Sequence, residues 1–235
     1  MATGSRDKTW PRLQIGISEC LLGIEVRHDG GHKCDRYVTD ILSSYLDFVP
    51  TCPEVGAGMG TPREAVRLIR DPAGLRMVGI SSQEDWTQRV NAYSTKRIGQ
   101  LDREQRLCGY ILKKDSPTCG MERVRLFNHN DVPRREGVGL FAHALKSAWP
   151  NLPVEEEGRL NDSRLRENFI CRVFTYDRWR RLLEGDSRTA RDPCRRPQPA
   201  DLVDFHSRHK LLLIAYDPAT YYEMGPLVAD AGTQI

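Results

Sequence analysis

The chain has 235 residues, of which 39% are hydrophobic and 29% charged, and its formal net charge at pH 7 is +3. This length can bury one α/β core together with a small second domain. No stretch approaches the roughly 18 apolar residues of a membrane span, no signal segment follows the first methionine, and the seven cysteines are an odd number. We therefore expect a cytoplasmic protein from a reducing compartment.

Apolar runs separated by turn residues predict alternating strands and helices over the first two thirds of the chain. Strands are expected at 15–18, 48–51, 110–113 and 153–156, a hairpin over 64–80, and helices over 37–46, 85–105 and 138–149. Asp85 is the expected N-cap of the longest helix. This order predicts an α/β domain with a parallel sheet in a three-layer, Rossmann-like arrangement.

Three cysteines follow predicted strands, each in a turn marked by glycine or proline. They are Cys20, Cys52 and Cys119. The carboxyl ends of parallel strands meet at one edge of a sheet, so the three sulfurs are expected to converge. Four thiolates would close a zinc site or saturate a four-iron cluster, whereas three leave one metal position open. On spacing alone, the alternative to a metal site is that the three cysteines are simply small buried hydrophobic residues.

Polar residues beside these cysteines are candidates for chemistry and for substrate binding. Glu54 and Ser116 lie two or three residues from a cysteine, although from the residues alone a surface carboxylate and a turn-initiating serine explain them better. Arg63 lies in a glycine-rich segment that lacks the lysine of a phosphate-binding loop. The tight turn of residues 29–33 offers three more candidates for a substrate pocket, Asp29, His32 and Lys33.

A boundary is expected near residues 157–158, where the α/β pattern ends and amphipathic helices begin. From 159 to 210 the chain has 13 lysines and arginines against 8 acidic residues. A basic face suits an RNA backbone, but it is also the ordinary solvated face of a small helical domain. The candidate RNA-binding residues are Arg164, Arg172, Arg178, Arg180, Arg181, Arg208 and Lys210. The proline- and arginine-rich link over 184–199 is expected to be mobile.

Several of these segments together resemble a known family, the thiouracil desulfidases. The motifs that carry the resemblance are 17–23 (ISECLLG), 26–33 (VRHDGGHK), 52–55 (CPEV), 58–64 (GMGTPRE) and 116–120 (SPTCG). Residues 159–170 and 202–213 are similar to the helical domain of two-domain members, which remove sulfur from 4-thiouridine in transfer RNA. Those members usually continue with more helix than this chain has, so a shortened helical domain is expected.

The resemblance implies a 4Fe-4S cluster held by Cys20, Cys52 and Cys119, with the fourth iron free to bind the sulfur of a thiocarbonyl substrate. It further implies a proton shuttle at Glu54 and a hydrogen-bond partner or relay at Ser116. The expected reaction is hydrolytic cleavage of the carbon–sulfur bond without net electron transfer. Cys34 departs from the family pattern and is not counted as a ligand.

Three functions stay open at this point. The first is desulfuration of 4-thiouridine in transfer RNA, which gives uridine and sulfide. The second is desulfuration of free 4-thiouracil or of 4-thiouridine monophosphate, for which the basic helices would not matter. The third is a non-catalytic iron–sulfur sensor that binds nucleic acid and needs no proton shuttle.

Overall fold

The computed structural model describes residues 12–72, 74–128, 130–184 and 198–233. Within these ranges the strands are β1 (Leu13–Ser18), β2 (Leu46–Thr51), β3 (Val66–Asp71), β4 (Gly74–Gly79), β5 (Leu107–Leu112), β6 (Val124–Phe127), β7 (Pro133–Gly137) and β8 (Val154–Glu156). The α-helices are α1 (Pro53–Gly56), α2 (Thr87–Glu104), α3 (Leu140–Ala148), α4 (Ser163–Glu184), α5 (Pro199–Arg208), α6 (Lys210–Tyr216) and α7 (Pro218–Thr233). None of these helices is long and apolar enough to cross a membrane.

The first sheet is parallel throughout and runs in the order β2-β1-β5-β8. Every residue of β5 is buried, as expected for a parallel strand covered on both faces. The ring of Tyr110 packs directly on Gly16 of the neighbouring strand, where an added Cβ would overlap it, and lies 5.7 Å from the ring of Phe141. The α/β class and the parallel sheet predicted from the sequence are therefore confirmed.

A second sheet has the order β4-β3-β6-β7 and mixes one parallel pair, β3–β6, with two antiparallel pairs. Its β3–β4 hairpin confirms the hairpin expected over 64–80. Its inner face contributes Leu68, Met77 and Leu126 to a core that also contains Val90 of α2. β6 and β7 were not predicted, because β7 is charged and exposed over most of its length and shows no apolar alternation.

Two predicted helices differ from the structure at their ends. The helix expected over 37–46 is a π turn, Tyr37–Ile41, followed by a 3-10 turn, Leu42–Ser44, because the chain must already be extended at the start of β2. The long helix begins two residues after Asp85, whose carboxylate accepts a 2.9 Å hydrogen bond from the backbone N–H of Thr87. That carboxylate therefore satisfies a helix-end donor from just outside the helix.

By its internal contacts the chain divides into two compact units between Val173 and Phe174. This division lies beyond residues 157–158, because the first half of α4 packs into the first unit. Phe169 and Val173 are fully buried there, and a methyl group of Val173 covers Gly109 of β5.

The second unit has its own aromatic packing. The ring centroids of Trp179 and Phe205 lie 5.3 Å apart, and Phe205 stacks on His209. The ring of His206 stacks on Tyr221. Leu183, in the last turn of α4, is 60% exposed although the helix pattern of the sequence is amphipathic. The link expected to be mobile over 184–199 falls almost wholly outside the described residues.

Candidate functional site

The parallel sheet brings the three predicted cysteines to one edge. Cys20 lies in a 3-10 turn, Glu19–Leu22, directly after β1, and Cys52 precedes α1 directly after β2. Cys119 lies in the turn that follows β5, the third neighbouring strand. All three side chains line one cavity of about 600 Å³. The fold therefore brings the three cysteines to one cavity, as expected from the sequence.

Burial makes these thiols hard to ionise in the protein alone. Burial and the neighbouring Cys52 raise the pKa of Cys20 to about 11. Burial likewise raises the pKa of Cys52 and, more strongly, that of Cys119, where Cys52 again adds to the effect. A cationic metal centre bound in the cavity would favour the thiolate form of all three sulfurs.

The donor set fits an iron–sulfur cluster. Three soft sulfur donors on separate strand ends match thiolate ligation of iron. Within the described ranges, no three His, Cys, Asp or Glu side chains are arranged to hold a single metal ion. A four-iron cluster takes each thiolate on a different iron atom, so its ligands do not have to meet at one point. Cys34, by contrast, is exposed and does not line the cavity.

Glu54 is fixed at the cavity by an ion pair with Arg63. The Nε and Nη2 of Arg63 both donate to Oε2 of Glu54, the former at 3.1 Å, and both side chains are largely buried. The glycine-rich loop makes this possible, since Gly58 and Gly60 adopt φ values of 90° and 73° that other residues avoid. The loop therefore reverses the chain direction so that the side chain of Arg63 can pair with Glu54.

Thr118 joins the two predicted catalytic residues. Its hydroxyl donates to Oε1 of Glu54 at 2.7 Å and lies 2.9 Å from Oγ of Ser116. Backbone N–H groups of Thr118 and Cys119 also donate to Oγ of Ser116 and fix its position. Sequence reasoning missed Thr118, although it stands inside the 116–120 motif.

The substrate-binding candidates divide into two groups. Lys33 and Arg63 line the cavity, together with Arg27 and His28, which sequence reasoning did not select. Asp29 is not among the lining residues. Its carboxylate is bound by Arg27 at 3.2 Å, and this hydrogen bond lowers the pKa of Asp29 to about 2. His32 also lies off the lining, where its Nδ1 accepts the backbone N–H of Cys34.

Four of the seven candidate RNA-binding residues are engaged inside the helices. Arg181 binds the buried Asp177 at 2.8 Å and is itself only 14% exposed, so the expectation of a solvated basic face is wrong at this residue. Arg180 pairs with Glu184 and Arg208 with Asp204, while Arg178 contacts His209 at 3.3 Å. The other three are exposed and bind no carboxylate among the described residues: Arg164, Arg172 and Lys210.

Comparisons with known proteins agree on the first unit. The family model of 2-thiouracil desulfurase matches residues 15–157. The uncharacterized protein YbbK of Bacillus subtilis (strain 168) is 30% identical over 154 residues, which is 63% of this chain and 98% of that protein. The solved structure of the [4Fe-4S]-dependent thiouracil desulfidase TudS is 27% identical, with a TM-score of 0.53 over 67% of this chain and 99% of TudS.

Proposed function

The chain belongs to the 2-thiouracil desulfurase family, and from this premise we propose that it is a 4Fe-4S-dependent desulfidase that converts 4-thiouridine in transfer RNA to uridine and sulfide. The observation that carries the proposal is the cavity itself. Three thiols at adjacent strand ends share it with a hydrogen-bonded series of Glu54, Thr118 and Ser116.

Cys20, Cys52 and Cys119 would hold the cluster as thiolates. A cluster bound there supplies an iron with an open position, a Lewis acid for the soft sulfur of a thiocarbonyl group. The cavity walls contribute in a different way. The buried ion pair of Glu54 and Arg63 keeps one carboxylate at a fixed place, which positions a base for a reacting water molecule.

The same residues offer a path for the proton. Oε1 of Glu54 can accept a proton from the water molecule that attacks the ring carbon. The hydroxyl of Thr118 bridges that oxygen to Ser116, so the proton can pass to Oγ of Ser116 and on to the departing sulfur. The water oxygen becomes the new carbonyl oxygen, its second proton is also lost to Glu54, and the sulfur leaves as hydrogen sulfide. No oxidant or reductant is consumed.

Support for an RNA substrate comes from the basic helices. The exposed cations Arg164, Arg172 and Lys210 suit phosphate contacts. Free 4-thiouracil or 4-thiouridine monophosphate is the second candidate substrate. It is favoured by the internal pairing of Arg180, Arg181 and Arg208, which reduces the positive charge available on the helices.

The test is sulfide release by cluster-reconstituted protein under anaerobic conditions. Transfer RNA containing 4-thiouridine, free 4-thiouracil and 4-thiouridine monophosphate are assayed side by side. Cys52→Ala should lose both the cluster absorbance and all sulfide release. Cys34→Ala, which alters an exposed cysteine off the cavity, is the matched control and should keep both.

Each outcome decides between the candidates. Release from transfer RNA that disappears in Cys52→Ala supports the proposal. Release from the free base or the mononucleotide alone replaces it with the second candidate. An intact cluster with no release from any of these substrates rejects a desulfidase and leaves a sensor.

A further inference from the structure

The cavity wall is strongly basic. Seven of its lining residues are lysine or arginine, against three acidic ones. Four of these cations are already neutralised by a carboxylate: Arg27 by Asp29, Arg63 by Glu54, Arg67 by Asp131 and Lys113 by Glu157. The remaining three, Lys33, Lys114 and Arg125, bind no carboxylate among the described residues, and all are exposed. We call these three the cation rim.

The chain holds the backbone of each rim residue beside the site. The N–H of Lys33 donates to the carbonyl oxygen of Cys20 at 2.9 Å. The N–H of Lys114 donates to Oε2 of Glu157 at 2.8 Å, while the other oxygen of that carboxylate pairs with Lys113. The ammonium groups of Lys33 and Lys114 therefore start from fixed points and remain free to meet an anion.

Arg125 gives the most specific indication. It lies on β6 directly across from Arg135 of β7. Like charges opposite each other weaken a sheet, and Asp115 neutralises only Arg135, at 2.9 Å. The packing of this sheet therefore gives no reason for a second arginine at position 125. A ligand that brings negative charge to the cavity mouth gives such a reason.

We propose that the cation rim binds the phosphodiester backbone of the RNA next to the reacting nucleotide, so that the catalytic unit itself contributes to RNA binding. The inference rests on the proposed function, because it assumes that a thiolated base enters this cavity. An uncharged base has no group that would occupy the rim. Phosphates flanking that base would meet Lys33, Lys114 and Arg125 and release their counterions.

The test measures binding of transfer RNA that lacks 4-thiouridine, by fluorescence anisotropy, to the full chain with its cluster. The rim variant is Lys33→Met/Lys114→Met/Arg125→Met. Counterion release gives about a five-fold loss of affinity for each phosphate contact removed at 0.1 M salt, so we expect a loss of about 100-fold for the three. The slope of log affinity against log salt concentration should fall by about 2.

The matched control removes two lysines and one arginine that are exposed but lie outside the cavity. Lys96→Met/Arg103→Met/Lys146→Met changes the net charge equally on α2 and α3. It should retain RNA affinity to within about three-fold, because screening confines charge effects to roughly 10 Å at 0.1 M salt. Thermal melting of both variants checks that the fold is intact.

Equal affinities of the rim and control variants would overturn the inference. So would a rim variant that loses activity on 4-thiouridine monophosphate but binds RNA normally, since the rim would then serve a mononucleotide phosphate. Failure of the proposed function has a different signature. It would appear as RNA binding that depends on the rim, with no sulfide released from thiolated RNA by the wild-type enzyme.

Discussion

Two regions of this protein concentrate basic side chains, and they differ in what those side chains contact. On the helices that begin with α4, Arg180, Arg181 and Arg208 are each held by an acidic residue one turn away. On the cavity wall, Lys33, Lys114 and Arg125 have exposed charges and bind no carboxylate within the described residues.

The difference concerns which charges are available to an anion. A count of basic residues favours the helices, where the sequence is visibly rich in arginine. An arginine already held by a carboxylate has its charge neutralised locally, so it attracts a phosphate less strongly than a cation without such a partner does. The charges of the rim cations are not neutralised in this way by any carboxylate among the described residues. Local charge density is therefore a poor guide to an RNA surface when acidic residues recur at helical spacing.

The largest expected effect separates chemistry from binding. Glu54→Gln keeps the shape of the side chain but removes the base, so kcat should fall by about 100- to 10,000-fold on any substrate. RNA affinity should stay unchanged, because the Arg63 side chain that Glu54 neutralises is only 5% exposed and its guanidinium is also held by the carbonyl oxygens of Val26 and Gly60. Single-turnover sulfide release and anisotropy measure the two quantities. A kcat within about three-fold of wild type would remove Glu54 from the mechanism.

The sequence predicted those parts of the site that depend on local pattern. Cys20 and Cys52 follow short apolar strands, and parallel strand ends must share an edge, so their convergence could be expected. Thr118 could not be placed as a bridge, because its partner Glu54 is 64 positions away and only the fold brings them together. Arg125 lies on a strand of only four residues, Val124–Phe127, which is too short for its alternation to predict the pairing register with β7.

The pairing of the helical arginines, by contrast, was visible in the sequence. Asp177 and Arg181, Arg180 and Glu184, and Asp204 and Arg208 are all four residues apart, the spacing of neighbours on a helix face. A count of net charge hides this spacing. Whether such a pair is buried, as at Asp177, depends on tertiary packing and needed the structure.

The second effect tests whether Arg181 belongs to the helical core. Arg181→Met removes the guanidinium that faces the buried carboxylate of Asp177, and we expect the free energy of unfolding to fall by about 3 kcal/mol. Urea unfolding followed by tryptophan fluorescence measures this, since Trp179 lies in the same unit. Asp177→Leu/Arg181→Met, which removes both charges, should recover most of the loss. Unchanged stability in the single variant would return Arg181 to the candidate RNA surface.

A smaller effect is expected at the bridging hydroxyl. Thr118→Val keeps the shape of the buried side chain but breaks the link between Glu54 and Ser116, so kcat should fall by about ten-fold to a hundred-fold. Thr118→Ser restores a hydroxyl and should recover most of the rate. Cluster absorbance should be the same in both variants. If Thr118→Ser were as slow as Thr118→Val, the methyl group and not the hydroxyl would be what matters.

The smallest expected effect is the most direct test of the contrast between the two basic regions. Arg180→Gln and Arg125→Gln each remove one positive charge, but Arg180 is paired with Glu184 at 3.1 Å and Arg125 binds no carboxylate in the described part of the chain. Arg180→Gln should therefore change RNA affinity by less than about two-fold, against about five-fold for Arg125→Gln at 0.1 M salt. The salt dependence separates them further, because only a lost phosphate contact lowers the slope, by about 0.7 to 0.9 for each one. If the two variants lowered the slope equally, Arg180 would contact phosphate in the complex in spite of its ion pair with Glu184. The helices would then bind phosphate as the cation rim does.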